Sequence, residues 1–188
     1  MKLTTVSTSQ MGANTYLIST ENTAVIIDPG FMCSEIRSFI IKNEGKEFAI
    51  LLTHNHFDHI GGANEARSLS KGKIYISKAD ERGLYDNEIN LSDRFMTPLE
   101  PFKADVIFDA DETLAFSDLQ IKTLWTPGHS MGSTCFFIND WLFSGDVLFR
   151  QSIGRTDFIC GDNESMIASL LKLASLEGDY DVYPGHGE

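Results

Sequence analysis

Within residues 54–59 the chain places three imidazoles and a carboxylate: His54, His56, Asp58 and His59. These are side chains from which proteins take the ligands of divalent zinc, iron or manganese. The apolar run Phe48-Ala49-Ile50-Leu51-Leu52 comes just before them and Gly61-Gly62 just after. A strand ending here would project the cluster from one rigid edge into one small volume, with a helix opening at the glycine pair. The spacing suggests two sites rather than one, His54 and His56 pointing one way and Asp58 and His59 the other. The plain alternative is a polar loop with capping side chains, and four donors in six residues weigh against it.

The chain has only five histidines, and where the other two fall is informative. His129 sits in Thr126-Pro127-Gly128-His129-Ser130, after a predicted strand ending at Trp125. His186 sits in Pro184-Gly185-His186-Gly187, after one ending at Tyr183. Asp146, in Ser144-Gly145-Asp146, repeats the placement with a carboxylate. Such a set fits ligands gathered at one edge of a sheet sandwich. One metal takes about four to six ligands, water included, so seven candidates are too many for one ion and suit two. Asp146 is the natural bridge, because a carboxylate has two oxygens.

The elements that must position these residues are legible as alternating and periodic runs. Strand patterns cover residues 3–7, 14–19, 24–27, 48–52, 74–76, 106–108, 113–116, 120–125, 135–138, 141–143 and 181–183. Asn139-Asp140 marks a hairpin between two of them. Helical spacing covers 34–43, with Ile36, Phe39 and Ile40 on one side, then 63–69 and 164–176. In the last, Ile167, Leu170, Leu171 and Ala174 share one apolar face. Residues 79–85 read as a helix weakened by Gly83. Residues 86–103 have no clean period and are punctuated by Pro98 and Pro101, which leaves a binding loop and an ordinary connection equally open. Strands and helices come in two batches of similar order. That implies a sandwich of two mixed sheets covered by helices, in one domain spanning 1–188.

Composition narrows the partners. A net charge of −12 over 188 residues argues against nucleic acid, whose phosphates need a basic face. No apolar run approaches the roughly 20 residues of a membrane span, and the first residues alternate like a strand rather than forming a signal peptide's apolar core. The expectation is a cytoplasmic protein acting on a small molecule. Cys33, Cys135 and Cys160 are odd in number and widely spaced, so neither a disulfide framework nor a zinc ribbon is indicated. Cys135 reads as a core residue.

The series His54-x-His56-x-Asp58-His59, His129, Asp146 and His186 resembles the metallo-β-lactamase-fold hydrolases, from about Met11 to the last residue. The resemblance implies an αββα sandwich, with His54, His56 and His129 on one metal. Asp58, His59 and His186 would hold a second, with Asp146 bridging. Within the superfamily the sequence looks most like the glyoxalase II-like branch. Asp146 stands where common class B β-lactamases place a cysteine. Residues 154–158, Gly-Arg-Thr-Asp-Phe, are similar to a signature of short glyoxalase II-like proteins and of persulfide dioxygenases. Lysine and tyrosine contacts typical of glutathione-thioester hydrolases are not found nearby, which leaves the thiol carrier open.

The implied cofactors are two divalent ions, zinc first, with iron or manganese as alternatives. Two such ions can hold a hydroxide that attacks a carbonyl, and the glyoxalase II-like resemblance implies an S-acyl thioester as the substrate. The resemblance implies that Asp58 orients this hydroxide while ligating. Ligating imidazoles usually donate their other N–H to an outer acceptor, for which Asp28, Asp157 and the Arg155 turn are candidates. The plain readings are a turn residue for Asp28 and an internal salt bridge for Arg155 and Asp157. Phe31, Phe57 and Phe149 flank the site segments and are candidates for an apolar pocket or for core. Two other functions fit the same residues: a mononuclear Fe(II) persulfide dioxygenase, and a non-catalytic metal-binding module.

Overall fold

The computed structural model describes residues 1–8 and 11–188. Its first batch of elements is β1 (Lys2–Ser7), β2 (Asn14–Ser19), β3 (Thr23–Ile27), α1 (Ser34–Lys42), β4 (Glu47–Leu51), α2 (Phe57–Ile60), α3 (Ala63–Ser70), β5 (Lys73–Ser77) and β6 (Val106–Phe108). The second is β7 (Thr113–Phe116), β8 (Leu119–Trp125), β9 (Thr134–Ile138), β10 (Trp141–Gly145), α4 (Asn163–Ala174) and β11 (Asp181–Pro184). The first batch forms a six-stranded sheet in the order β1-β2-β3-β4-β5-β6, and the second a five-stranded sheet in the order β11-β10-β9-β8-β7.

Strand periodicity explains the layering. Successive side chains point to opposite faces, and β3 and β4 are apolar at nearly every position. Val25, Ile27, Ala49 and Leu51 face inward and meet Ile121, Phe136, Ile138 and Phe143 of the second sheet. Ala24, Ile26, Phe48 and Ile50 face outward, under Ile36 and Ile40 of α1 and Ala63 and Ala66 of α3. On the far side, Cys135 and Leu142 pack against Met166 and Leu173 of α4. The result is the expected αββα sandwich. No helix among the described residues is long and apolar enough to cross a membrane.

Strand direction then decides where the polar loops gather. β3, β4 and β5 are parallel neighbours, so the residues that follow them emerge at one edge of the first sheet. In the second sheet β10 and β11 are parallel, and β8 is antiparallel to β9, which is antiparallel to β10. β8 therefore points the same way as β10 and β11. The loops after these three strands share an edge as well. The two edges are stitched together by Thr134 N–H donating to Thr53 O (2.9 Å) and Asn14 N–H donating to Gly185 O (2.7 Å).

Three local expectations need correction. Helical structure does not wait for the glycine pair, because residues 57–60 already form a helical turn, α2. Residues 79–85 contain a short 3-10 helix, Glu81–Leu84. In α4 the buried positions are Met166, Ser169 and Leu173, with Leu170 partly covered, whereas Ile167 and Leu171 are exposed. The apolar spacing of that helix is compatible with either stripe. The choice falls to the close approach of the Gly128 loop onto Met166. The hairpin turn is as expected, with Asn139 in the left-handed region at φ 53°.

Phe136 is fully buried between the sheets, edge-on to Phe108 at 6.1 Å. Phe136→Ala should cost about 3–5 kcal/mol, the usual range for emptying an aromatic site in a core. The check is the midpoint of chemical unfolding, with the slope of the transition unchanged.

Candidate metal centre

All seven candidate ligands meet where the two sheet edges face each other. The rings of His54, His56 and His129 form a triangle with centroid separations of 4.7, 4.9 and 4.5 Å. One nitrogen from each lies within 4.8 Å of the others. Asp58, His59 and His186 form a second group within the same limit. Asp146 stands between the groups. Its Oδ2 is 3.4 Å from His129 Nε2 and 3.5 Å from His186 Nε2, and its Oδ1 is 3.5 Å from His59 Nε2. The helical turn α2 is what turns Asp58 and His59 away from His56, so the division inferred from spacing has a backbone cause.

Asp28 organises two of the imidazoles. Its Oδ1 accepts from Thr53 N–H at 2.7 Å, and its Oδ2 accepts from the Thr53 hydroxyl at 2.6 Å. The hydroxyl has then spent its only proton, so at 3.0 Å from His54 Nδ1 it must act as acceptor. His59 Nδ1 donates to Asp28 Oδ2 at 3.0 Å. His54 is thereby held with Nε2 bare, whereas His59 Nε2 lies 3.2 Å from His186 Nε2. His129 is fixed the same way, with Nδ1 donating to the carbonyl oxygen of Arg155 at 2.8 Å. Asp28 can also be grouped with His54 and His59 as a donor set, but its oxygens already serve these outer bonds.

Of the other outer candidates, Arg155 acts through its main chain. Asp157 follows the internal salt-bridge reading rather than the outer-acceptor one: its carboxylate pairs with the Arg155 guanidinium at 2.6 and 2.7 Å. That exposed loop pair holds Asp157 to its own turn rather than to an imidazole.

Burial sets the electrostatics. It pushes His54 and His56 well below the ordinary imidazole value, with neighbouring imidazoles adding to the effect. His129 is lowered by burial too. For His59 burial is outweighed by the carboxylates of Asp146, Asp58 and Asp28, which lift it to about 10. His186 is raised despite its burial, first by its hydrogen bond to Asp58. Asp58 resists burial because His59 and His186 hold its carboxyl well below the usual range.

A divalent ion suits this donor set. His54 Nε2, His129 Nε2 and Asp146 Oδ1 are buried and have no hydrogen-bond partner among the described residues. Buried polar atoms are normally satisfied, and neutral imidazoles beside carboxylates are what zinc or iron coordinates. The close approach of the last loop depends on glycine. A Cβ on Gly185 would lie 2.0 Å from Asp146 Oδ1.

The sequence reading missed Asp80. It follows β5 just as His54 follows β4, so the strand-then-polar pattern could have found it. Asp80 is 1% exposed. It accepts from Asn55 N–H (3.1 Å), the Ser130 hydroxyl (2.6 Å) and Gly132 N–H (2.7 Å). One carboxylate thus joins the loop carrying His54 and His56 to the loop carrying His129. Burial lifts it to about 6 in spite of these three bonds.

The cluster floors a cavity of about 420 Å³ whose walls include Phe57, Leu91, Phe95, Phe149 and Phe158. Of the two readings left open for these rings, Phe57 and Phe149 take the pocket, while Phe31 packs edge-on behind Phe57 at 6.5 Å. A larger hollow of about 610 Å³ between β1, β2 and α1 has no histidine in its lining. Size alone does not locate the chemistry.

Comparison with known proteins shows the family and the fold. A family profile described as the metallo-beta-lactamase superfamily matches residues 9–186. The probable metallo-hydrolase YqgX of Bacillus subtilis (strain 168) is 35% identical over 100% of this chain and 90% of its own length. The hydroxyacylglutathione hydrolase GloC of Haemophilus influenzae is 34% identical over 89% of this chain and 81% of its own. Among solved structures, the BLEG-1 B3 metallo-beta-lactamase superposes with a TM-score of 0.88 at 33% identity, covering 100% of this chain and 92% of that one.

Asp80 predicts a stability profile. Its folded pKa of about 6 exceeds the ordinary 3.8, so its contribution is fully present below about pH 3.8 and is lost as pH rises through 6. The loss is about 3 kcal/mol. Asp80→Asn puts an amide N–H against donors and should be less stable throughout. The difference in unfolding free energy between the two metal-free proteins should therefore shrink by about that amount from pH 4 to pH 7. A constant difference would show that Asp80 does not titrate in this range.

Proposed function

The chain belongs to the metallo-beta-lactamase superfamily, and we propose that within it the protein is a binuclear metal-dependent hydrolase of S-acyl thioesters. The observation that carries this reading is the pair of three-donor groups with Asp146 between them. Similarity to a protein named hydroxyacylglutathione hydrolase supports the thioester class.

His54, His56 and His129 would hold one ion, Asp58, His59 and His186 the other, and Asp146 would touch both. Two bound divalent ions, zinc first among the candidates, would supply an activated water near neutral pH and a Lewis acid for the carbonyl. The chain's own residues do the rest. Asp28, Thr53 and the Arg155 carbonyl hold the imidazoles in the tautomer that presents Nε2. Such outer bonds fix ligand geometry. Asp58, grouped with His59 and His186, would orient the water while ligating. The phenyl walls exclude solvent from the reacting bond. Water adds its oxygen to the acyl carbon and gives up its protons to bulk solvent, the C–S bond breaks, and a carboxylate and a thiolate depart. With an ordinary thiol pKa near 8.5, that leaving group needs little help from an acid.

The likeness to BLEG-1 favours a second substrate, a β-lactam, whose amide nitrogen is the poorer leaving group. Residues 154–158, which also suggested a dioxygenase, build the wall around His129 in any of these readings.

Elemental analysis of protein purified without added metal or chelator should give about two metal ions per chain. That protein should cleave S-acyl thioesters well above its chelated form, and faster than β-lactams. About one iron, with oxygen uptake on a persulfide, would replace the hydrolase. His56→Ala should lower metal content to about one per chain and activity by about 100-fold or more, beyond the effect usual for outer residues. Unchanged metal content in this variant would refute the ligand assignment.

A further inference from the structure

The floor of the cavity is accounted for by the metal-binding residues, but one wall is not. It comes from residues 86–103, the stretch without a period. Two of its non-glycine residues, Leu91 (φ 68°) and Met96 (φ 55°), hold left-handed backbone, which such residues seldom adopt. The stretch is nonetheless firmly anchored. Asn90 is fully buried; its amide donates to Gly83 O at 2.7 Å, and its own carbonyl accepts from Phe57 N–H at 2.9 Å. Strain held by anchoring is a pattern of functional sites. Here it sets Leu91 and Phe95 on the cavity, with Phe95 stacked on Phe57 at 5.3 Å.

Next to Phe95 is Arg94, whose guanidinium lies 5.4 Å from the centroid of the Phe158 ring. The same ring carries Arg155 at 4.1 Å and stands 5.6 Å from the ring of His56. The two arginines are not equivalent. Arg155 is paired with both oxygens of Asp157. Arg94 has no ion-pair partner among the described residues, the carboxylate of Asp157 reaching it only as a weak field. In a chain of net charge −12, a cation without a matched anion is thus held one phenyl ring away from the metal-binding cluster. The ring contact restricts the guanidinium and lessens the freedom it would lose on binding an ion.

We propose that the cavity takes a substrate with an apolar body and a carboxylate or phosphate group, and that Arg94 selects the anion. The reacting bond is that of the thioester reading, on which this inference rests. The charge selection is a property of the wall and is tested without hydrolysis. The anion could lie on the acyl side or on the thiol carrier.

Three benzyl thioethers, which mimic the thioester but cannot be cleaved, separate these cases. One carries a carboxylate on the benzyl arm, one on the alkyl arm, and one has a primary amide instead. Their affinities for the metal-loaded protein are measured by titration calorimetry, beside Arg94→Gln and Arg94→Lys. One of the charged compounds should bind about fivefold more tightly than the amide, the scale of an exposed ion pair. The arm that it uses identifies the side bearing the anion. Arg94→Gln should remove most of that preference and Arg94→Lys should restore much of it. Equal affinity for acids and amide, a preference that survives Arg94→Gln, or no binding of any thioether overturns the proposal. Charge-selective binding without thioester cleavage would overturn the thioester reading alone.

Discussion

Asp28, Asp58 and Asp146 are buried with His54, His56, His59 and His129 around one point where two sheets meet. Placing so many ionisable groups out of water is unfavourable unless charge is balanced locally. The carboxylates draw positive charge, which appears as the raised affinity of His59 and His186 for protons. The imidazoles of His54, His56 and His129 refuse protons and keep inward lone pairs. A cluster that attracts cations while offering neutral nitrogen donors is matched to metal ions, which must compete with protons for the same atoms.

The fold meets this constraint by direction rather than by local sequence. Parallel β3, β4 and β5 deliver Asp28, His54 and Asp80 to one edge. β8, β10 and β11, pointing one way, deliver His129, Asp146 and His186 to the other. Two buried carboxylates then lock the loops. Asp28 ties Thr53 to His59, and Asp80 ties Asn55 to Ser130 and Gly132. Each is accepted into the core because its oxygens receive several hydrogen bonds. The rings of the candidate metal centre are therefore oriented by polar groups that are themselves hydrogen-bonded.

The apolar walls complete the environment. Phe57, Phe95 and Phe158 belong to three separate segments, yet they meet over the same floor. Phe158 also contacts His56 and two guanidinium groups, so one ring links the candidate metal centre to two arginines. Reduced water access strengthens electrostatic interactions within such a cavity.

The sequence by itself determined the candidate ligand types, the two-sheet sandwich covered by helices and the apolar side of α1, because period and residue chemistry are local properties. The five histidines, each following a strand, even indicated a shared edge. Only the tertiary structure decided that Asp157 pairs within its own turn while Arg155 serves through its carbonyl. A main-chain acceptor has no signature in residue type. The same holds for the buried stripe of α4, where Met166 and Leu173 are covered and Ile167 and Leu171 are not. Two apolar stripes were available, and the neighbouring loop selected one. Asp80 and the wall of residues 86–103 were undecided for the same reason: their roles arise from contacts between residues far apart in the chain, and spacing carries no record of those contacts.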